Sequence, residues 1–109
     1  MSPNTAAIQI LNDQLRRNFS LGVALMTPGV AALGPDVAER IFRTIATYDD
    51  FCQANDPWSE HDFGSFEADS QTIFFKIDYL SKDMTMGSPD PSDPLVTTRV
   101  ITIMLSSEY

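Results

Sequence analysis

The chain predicts an α+β fold: an antiparallel sheet of three to four strands with two main helices packed on one face. Three observations carry that expectation. Two segments in the first half repeat apolar residues at helical spacing. The second half holds alternating or β-branched runs with no helix-length segment between them. At 109 residues and 43% hydrophobic content, the chain supports a single domain, residues 1–109, around one core.

Residues 5–18 read as the first helix. Thr5 can cap it, and Ile8, Leu11 and Leu15 form an apolar stripe, with Gln9, Asn12, Arg16 and Arg17 elsewhere on the wheel. The apolar run at 22–27 reads as a short buried strand. Thr27-Pro28-Gly29 ends it and caps a helical turn over 30–33. Gly34-Pro35 breaks the chain again. Pro35 and Asp36 then open a second helix to about residue 48, with Val37, Ile41, Ile45 and Tyr48 inward and Glu39, Arg40 and Arg43 outward.

Residues 71–80 alternate as a strand should: Ile73, Phe75, Ile77 and Tyr79 share one face, and Phe74, Lys76 and Asp78 the other. Residues 63–67 can pair with it through a tight turn at Ala68-Asp69-Ser70. Residues 82–95 carry three prolines, a glycine and three aspartates, and read as a long surface loop. The last strand is expected over 96–106, where Ile101, Ile103 and Leu105 alternate with Val100, Thr102 and Met104.

A net charge of −8 argues against direct binding of nucleic acid or an anionic membrane, both of which call for excess lysine and arginine. No apolar run approaches the roughly 18 residues of a membrane span. Met1-Ser2-Pro3-Asn4-Thr5 has neither the basic region nor the apolar block of a signal peptide, so a cytoplasmic location is expected. The single cysteine, Cys52, excludes an internal disulfide and a cysteine-cluster zinc site. Following Phe51 without a partner pattern, it reads as a buried, inert thiol.

The charge is unevenly spread. Residues 44–75 contain no lysine or arginine but seven carboxylates: Asp49, Asp50, Asp56, Glu60, Asp62, Glu67 and Asp69. They are threaded through Phe51, Trp58, Phe63 and Phe66, so the segment is expected to fold and to display its charge on a fixed surface. Within it, His61 lies between Glu60 and Asp62. Neighbours on an extended chain point to opposite faces, so the spacing disfavours convergence on one metal or proton. One histidine also falls short of an ordinary zinc set, and the carboxylates lack the full spacing of a calcium loop. No metal or cofactor is therefore expected. The simpler reading is a turn at Asn55-Asp56-Pro57, with Trp58 and Phe63 plugging the core edge and His61 bonded to backbone. Phosphate-loop, dinucleotide and serine-elbow motifs are absent.

Several blocks together resemble a known family: Asn12-Asp13 with Arg16-Arg17, Thr27-Pro28-Gly29-Val30, Asn55-Asp56-Pro57-Trp58-Ser59-Glu60-His61-Asp62-Phe63-Gly64, Lys76-Ile77-Asp78-Tyr79, and Thr98-Arg99-Val100 through Glu108-Tyr109. The family is one of small proteobacterial proteins carrying a domain of unknown function, commonly encoded on plasmids, integrative elements and prophages. The resemblance brings no catalytic or binding role to any residue. It implies a setting, since small acidic proteins of mobile elements often neutralise host restriction or CRISPR machinery.

Charge and resemblance together lead to an expected function: an inhibitor that engages a basic surface of a host protein or ribonucleoprotein complex. Its expected contacts are Asp49, Asp50, Asp56, Glu60, Asp62, Glu67 and Asp69, joined by Asp83, Asp90 and Asp93 of the long loop. The alternatives are a small hydrolase or nuclease-like site around Asp56, Glu60, His61 and Asp62, and a non-catalytic interaction module whose acidity carries no meaning. Convergence or divergence of those four side chains is the geometric discriminator.

Overall fold

A computed structural model describes residues 3–109, and the expected capping by Thr5 gives way to a helix that starts earlier. Helix α1 spans Pro3–Arg17, and a proline is tolerated in a first turn because its missing N–H has no partner there anyway. A 3-10 turn at Phe19–Leu21 leads into strand β1, Val23–Met26. Two helices follow, the single turn α2 (Pro28–Ala31) and α3 (Pro35–Thr47). Strands β2 (Phe63–Ala68), β3 (Gln71–Leu80) and β4 (Thr98–Leu105) complete the sheet, and a 3-10 turn at Ser106–Glu108 follows.

The α+β class is as expected, but the sheet is mixed rather than antiparallel. Its order is β1-β4-β3-β2, with β1 parallel to β4 and the other pairs antiparallel. Topology gives the reason. Helix α3 carries the chain across the sheet from β1 to β2, so these two strands run the same way, and the β2–β3–β4 meander brings β4 back in that direction. Strand β1 also lies at the edge, with one neighbour. Its burial differs accordingly from the expected buried strand: Leu25 is 50% and Met26 41% exposed.

Helix α3 lays Val37, Ile41 and Ile45 against Ile73, Phe75, Ile77, Ile101 and Ile103 of the sheet, with Leu15 of α1 and Val30 of α2 closing the core. Its stripe and polar face fall as the periodicity predicts. Gly34 precedes it at φ +94°, a left-handed conformation that favours glycine. Gly64 on β2 serves closeness instead: a Cβ there would stand 2.3 Å from Phe75 and 2.7 Å from Tyr48. Asp69 and Ser70, both at positive φ, form the tight β2–β3 turn, a backbone that matches strand twist.

The surface loop expected over 82–95 runs on to residue 97, because β4 starts at Thr98 rather than at residue 96, and it is tethered at several points. The Ser88 amide donates to the Tyr79 carbonyl, the Thr97 hydroxyl to the Asp90 carbonyl, and the Arg99 guanidinium to the Pro91 carbonyl.

Candidate functional site

Helix α1 does more than supply Ile8 and Leu15. Asn12 and Arg16, placed by the helical wheel away from the apolar stripe, are buried at 0% and 3% exposure. Their burial has a physical cause: the Asn12 amide and both terminal nitrogens of Arg16 find polar partners, and Arg16 Nε alone is left without one among the described residues. Arg16 Nη1 donates to the carbonyls of Ile45 (2.7 Å) and Tyr48 (2.9 Å) at the end of α3, where Ile45 also accepts the Tyr48 amide. Its Nη2 donates to Asp13 Oδ1 at 2.6 Å, and its guanidinium lies 5.0 Å from the centre of the Phe51 ring.

Asp13 Oδ1 also meets His61 Nδ1 at 2.8 Å, and the imidazole stacks on Phe51 with centroids 3.9 Å apart. His61 is therefore held by a side chain and an aromatic face rather than bonded to backbone through its ring. Asp56, 5% exposed, supplies the backbone contact instead. Its carboxylate accepts the amides of Glu60 (2.9 Å) and His61 (3.1 Å), winding the chain so tightly that Ser59 and His61 both take φ 58°. Such left-handed non-glycine positions need a surrounding structure that enforces them.

Glu60 enters a second network. The Tyr79 hydroxyl donates to Glu60 Oε1 at 2.7 Å, Asn12 Nδ2 donates to the Tyr79 oxygen at 2.8 Å, and Arg99 Nε donates to Asn12 Oδ1 at 2.8 Å. Burial raises the Tyr79 phenol pKa well above its ordinary value, and donation to Glu60 raises it further. Burial lowers that of Arg99, whose guanidinium stacks 5.1 Å from the Tyr79 ring centre.

Two hollows flank this core of polar contacts. One, about 340 Å³, is lined by Gln9, Cys52, Asp56 and His61. Cys52 is exposed there, not buried, because the chain after α3 turns outward once Tyr48 and Phe51 have packed. The other, about 440 Å³, lies between Trp58, Phe63, Tyr109, Asp62, Lys76 and Asp78. Trp58, expected to plug the core edge, is 76% exposed. The inward places of its loop are taken by Phe51 and Asp56, and Trp58 is carried out to the surface.

The four residues of the hydrolase alternative thus divide. Asp56 and His61 face the first hollow, with His61 Nε2 3.9 Å from Asp56 Oδ2; Glu60 bonds Tyr79, and Asp62 lines the second hollow. Burial raises the Asp62 carboxyl pKa above its ordinary value, and the charges of Glu60, Asp56 and Asp78 add to the shift.

The other expected contacts lie at the surface. Asp49, Asp50, Glu67 and Asp69 are exposed, the last two on β2 and its turn. The Tyr48 hydroxyl donates to the Asp50 carbonyl and accepts the Ser65 amide, bringing the Asp49–Asp50 segment alongside β2. Asp83, Asp90 and Asp93 shape the long loop: Asp83 accepts from Ser81 and Thr85, which hold its carboxyl below the usual range, Asp90 from Ser92, and Asp93 from Leu95. Sequence reasoning missed Asp13, Arg16, Phe51 and Arg99 as partners of the block. The available signal was the Asp13–Arg16 spacing of three, which pairs side chains on a helix.

Among the described residues, no group of three or more histidine, cysteine or acidic side chains is placed to hold a metal, and no helix is long and apolar enough to cross a membrane. Comparison with curated proteins gives no match, and none is found among solved structures. One family model does match, over residues 26–108, so α1 with Asn12, Asp13 and Arg16 precedes the matched span. That model is described as a protein of unknown function (DUF3768), and the chain belongs to this family.

Proposed function

We propose that the chain is an acidic binding protein from a proteobacterial mobile element that acts in the cytoplasm. There it would occupy a basic surface of a host nucleic-acid-handling defence complex, as an anti-CRISPR or anti-restriction inhibitor does. One observation carries the reading: Asp49, Asp50, Glu67 and Asp69 stand exposed around β2, with no lysine or arginine in the segment that bears them. Two of the seven cations, Arg16 and Arg99, are buried and engaged internally. A nucleic-acid channel is lined with lysine and arginine that replace counterions, and carboxylates on a firm sheet edge satisfy the same groups.

The test compares the wild type with Asp49→Asn/Asp50→Asn/Glu67→Gln/Asp69→Asn and with a control, Asp36→Asn/Glu39→Gln. All three are assayed for displacement of DNA from purified host CRISPR or restriction complexes. The first variant is expected to lose at least tenfold in potency with its fold intact, and the control to lose little. Equal potency, or none from the wild type, defeats the reading.

A second reading, a small hydrolase, is favoured by the Asp13–His61 pair beside the 340 Å³ hollow. An oriented imidazole is the usual general base. Hydrolysis of an activated ester that His61→Gln abolishes would support it, and turnover no faster than buffer would remove it.

A further inference from the structure

The 440 Å³ hollow combines two chemistries that rarely share a surface by accident. Trp58 and Tyr109 are each 76% exposed, and large aromatic rings left in water are costly unless something covers them. Tyr109 is held in place. It packs edge-on against Phe63 and Phe74, with centroids 6.0 and 5.7 Å away, and those two rings lie 5.1 Å apart. Asp62 and Asp78 line the same hollow. Among the described residues that line the hollow, only Lys76 offsets them, its Nζ 3.2 Å from Asp78 Oδ2, and none of them gives Asp62 a cationic partner.

We propose that this hollow receives an arginine side chain of the basic partner, with the guanidinium bonded to Asp62 and stacked on Trp58. The inference rests on the reading of the chain as a protein that binds a basic surface. Arginine fits better than lysine for two reasons. Its planar fork meets a carboxylate with two parallel hydrogen bonds, and its flat, weakly hydrated face stacks on indole. Tryptophan is also the strongest cation–π partner among the aromatic side chains. The electrostatics agree: Asp62 is crowded by Glu60, Asp56 and Asp78, and an arriving cation relieves that repulsion. In an interface, an aromatic anchor with a paired charge at its centre is where binding energy concentrates.

The test uses the whole chain, labelled with nitrogen-15, and a blocked glycine-flanked arginine peptide, with citrulline, lysine and trimethyllysine versions beside it. The arginine peptide is expected to shift the Trp58 indole N–H and the amides around Asp62 and Asp78. Citrulline, which has the shape without the charge, should do so at least tenfold more weakly. Trp58→Ala and Asp62→Asn should each abolish the shifts while leaving the rest of the spectrum in place. Equal response to citrulline, tighter binding of lysine or trimethyllysine, or shifts confined to Asp49, Asp50, Glu67 and Asp69 would overturn the proposal. The two readings fail separately. Loss of DNA displacement in the four-site variant, with no peptide shifts in the hollow of the wild type, supports the broad acidic surface alone and overturns the arginine site. Peptide shifts in the hollow, with no displacement by the wild type, leave an arginine site without the inhibitory function.

Discussion

Asp56 and Asp62 belong to one loop and meet opposite surroundings. Asp56 is buried, accepts two backbone amides and fixes the turn that brings His61 against Asp13. Asp62 is half-buried, has no cationic partner among the described residues of the hollow it lines, and is repelled by its acidic neighbours. The difference teaches that a run of carboxylates is not one electrostatic object. Those facing α1 are structural groups whose charge is consumed inside the protein. Those facing β2 and the aromatic hollow remain available to another molecule.

The comparison can be broken first on its inward side. Arg16 is the keystone, since one guanidinium ties α1 to the end of α3, to Asp13 and to Phe51. Arg16→Ala takes a charged donor from the Ile45 and Tyr48 carbonyls and leaves Asp13 without its arginine. It is expected to cost about 4 kcal/mol in urea unfolding, the scale for breaking a buried charged pair. The spectrum of His61 should change with it. A loss under about 1 kcal/mol would mean that α1 is held by its apolar stripe alone.

Asp56→Ala comes next, at about 3 kcal/mol, because two amides lose a charged acceptor and Ser59 and His61 lose the contact that holds them at positive φ. Asp56→Asn keeps one acceptor oxygen and should cost roughly half as much. Amide exchange at Glu60 and His61 reports the effect directly. Unchanged protection in Asp56→Ala would show that the turn is self-supporting.

How much of this was legible in the sequence follows the range of each interaction. Helix α3, the β2–β3 hairpin and the alternation of β3 depend on neighbours within one element or one turn, and they stand where periodicity and turn chemistry place them. The parallel β1–β4 pairing depends on where α3 delivers the chain, which no local pattern records. The site shows the same limit more sharply. Asn12 and Arg16 are polar residues on a helix, and a wheel puts them in water. Their burial requires the carbonyls at the end of α3, Tyr79 and Arg99 to arrive from other parts of the chain. Trp58 and Cys52 err in the opposite direction: residue type favoured burial, and the geometry of the Asp56 turn and of the chain after α3 left both outside.

The outward side is tested by a smaller effect of opposite sign. Burial and the charges of Glu60, Asp56 and Asp78 raise the Asp62 carboxyl above its ordinary value of 3.8. A carboxyl whose pKa rises on folding binds more protons in the native state than in the unfolded one within that window. Stability therefore falls as pH climbs from 3.8 through the raised native value, and the penalty persists at neutral pH. Asp62→Asn removes it. At pH 7 the variant should be more stable than the wild type by a few tenths of a kcal/mol, the group being half-exposed and screened by solvent. The gain should vanish below the ordinary carboxyl value and shrink in high salt, where repulsion between exposed charges is damped. Urea midpoints for both proteins at pH 7 and pH 3.5, with and without salt, provide the measurement. A variant less stable than the wild type at pH 7 would show that the Asp62 charge is held by a partner inside the protein. In that case it would belong with Asp56, and the hollow would lose the group proposed to meet an arginine.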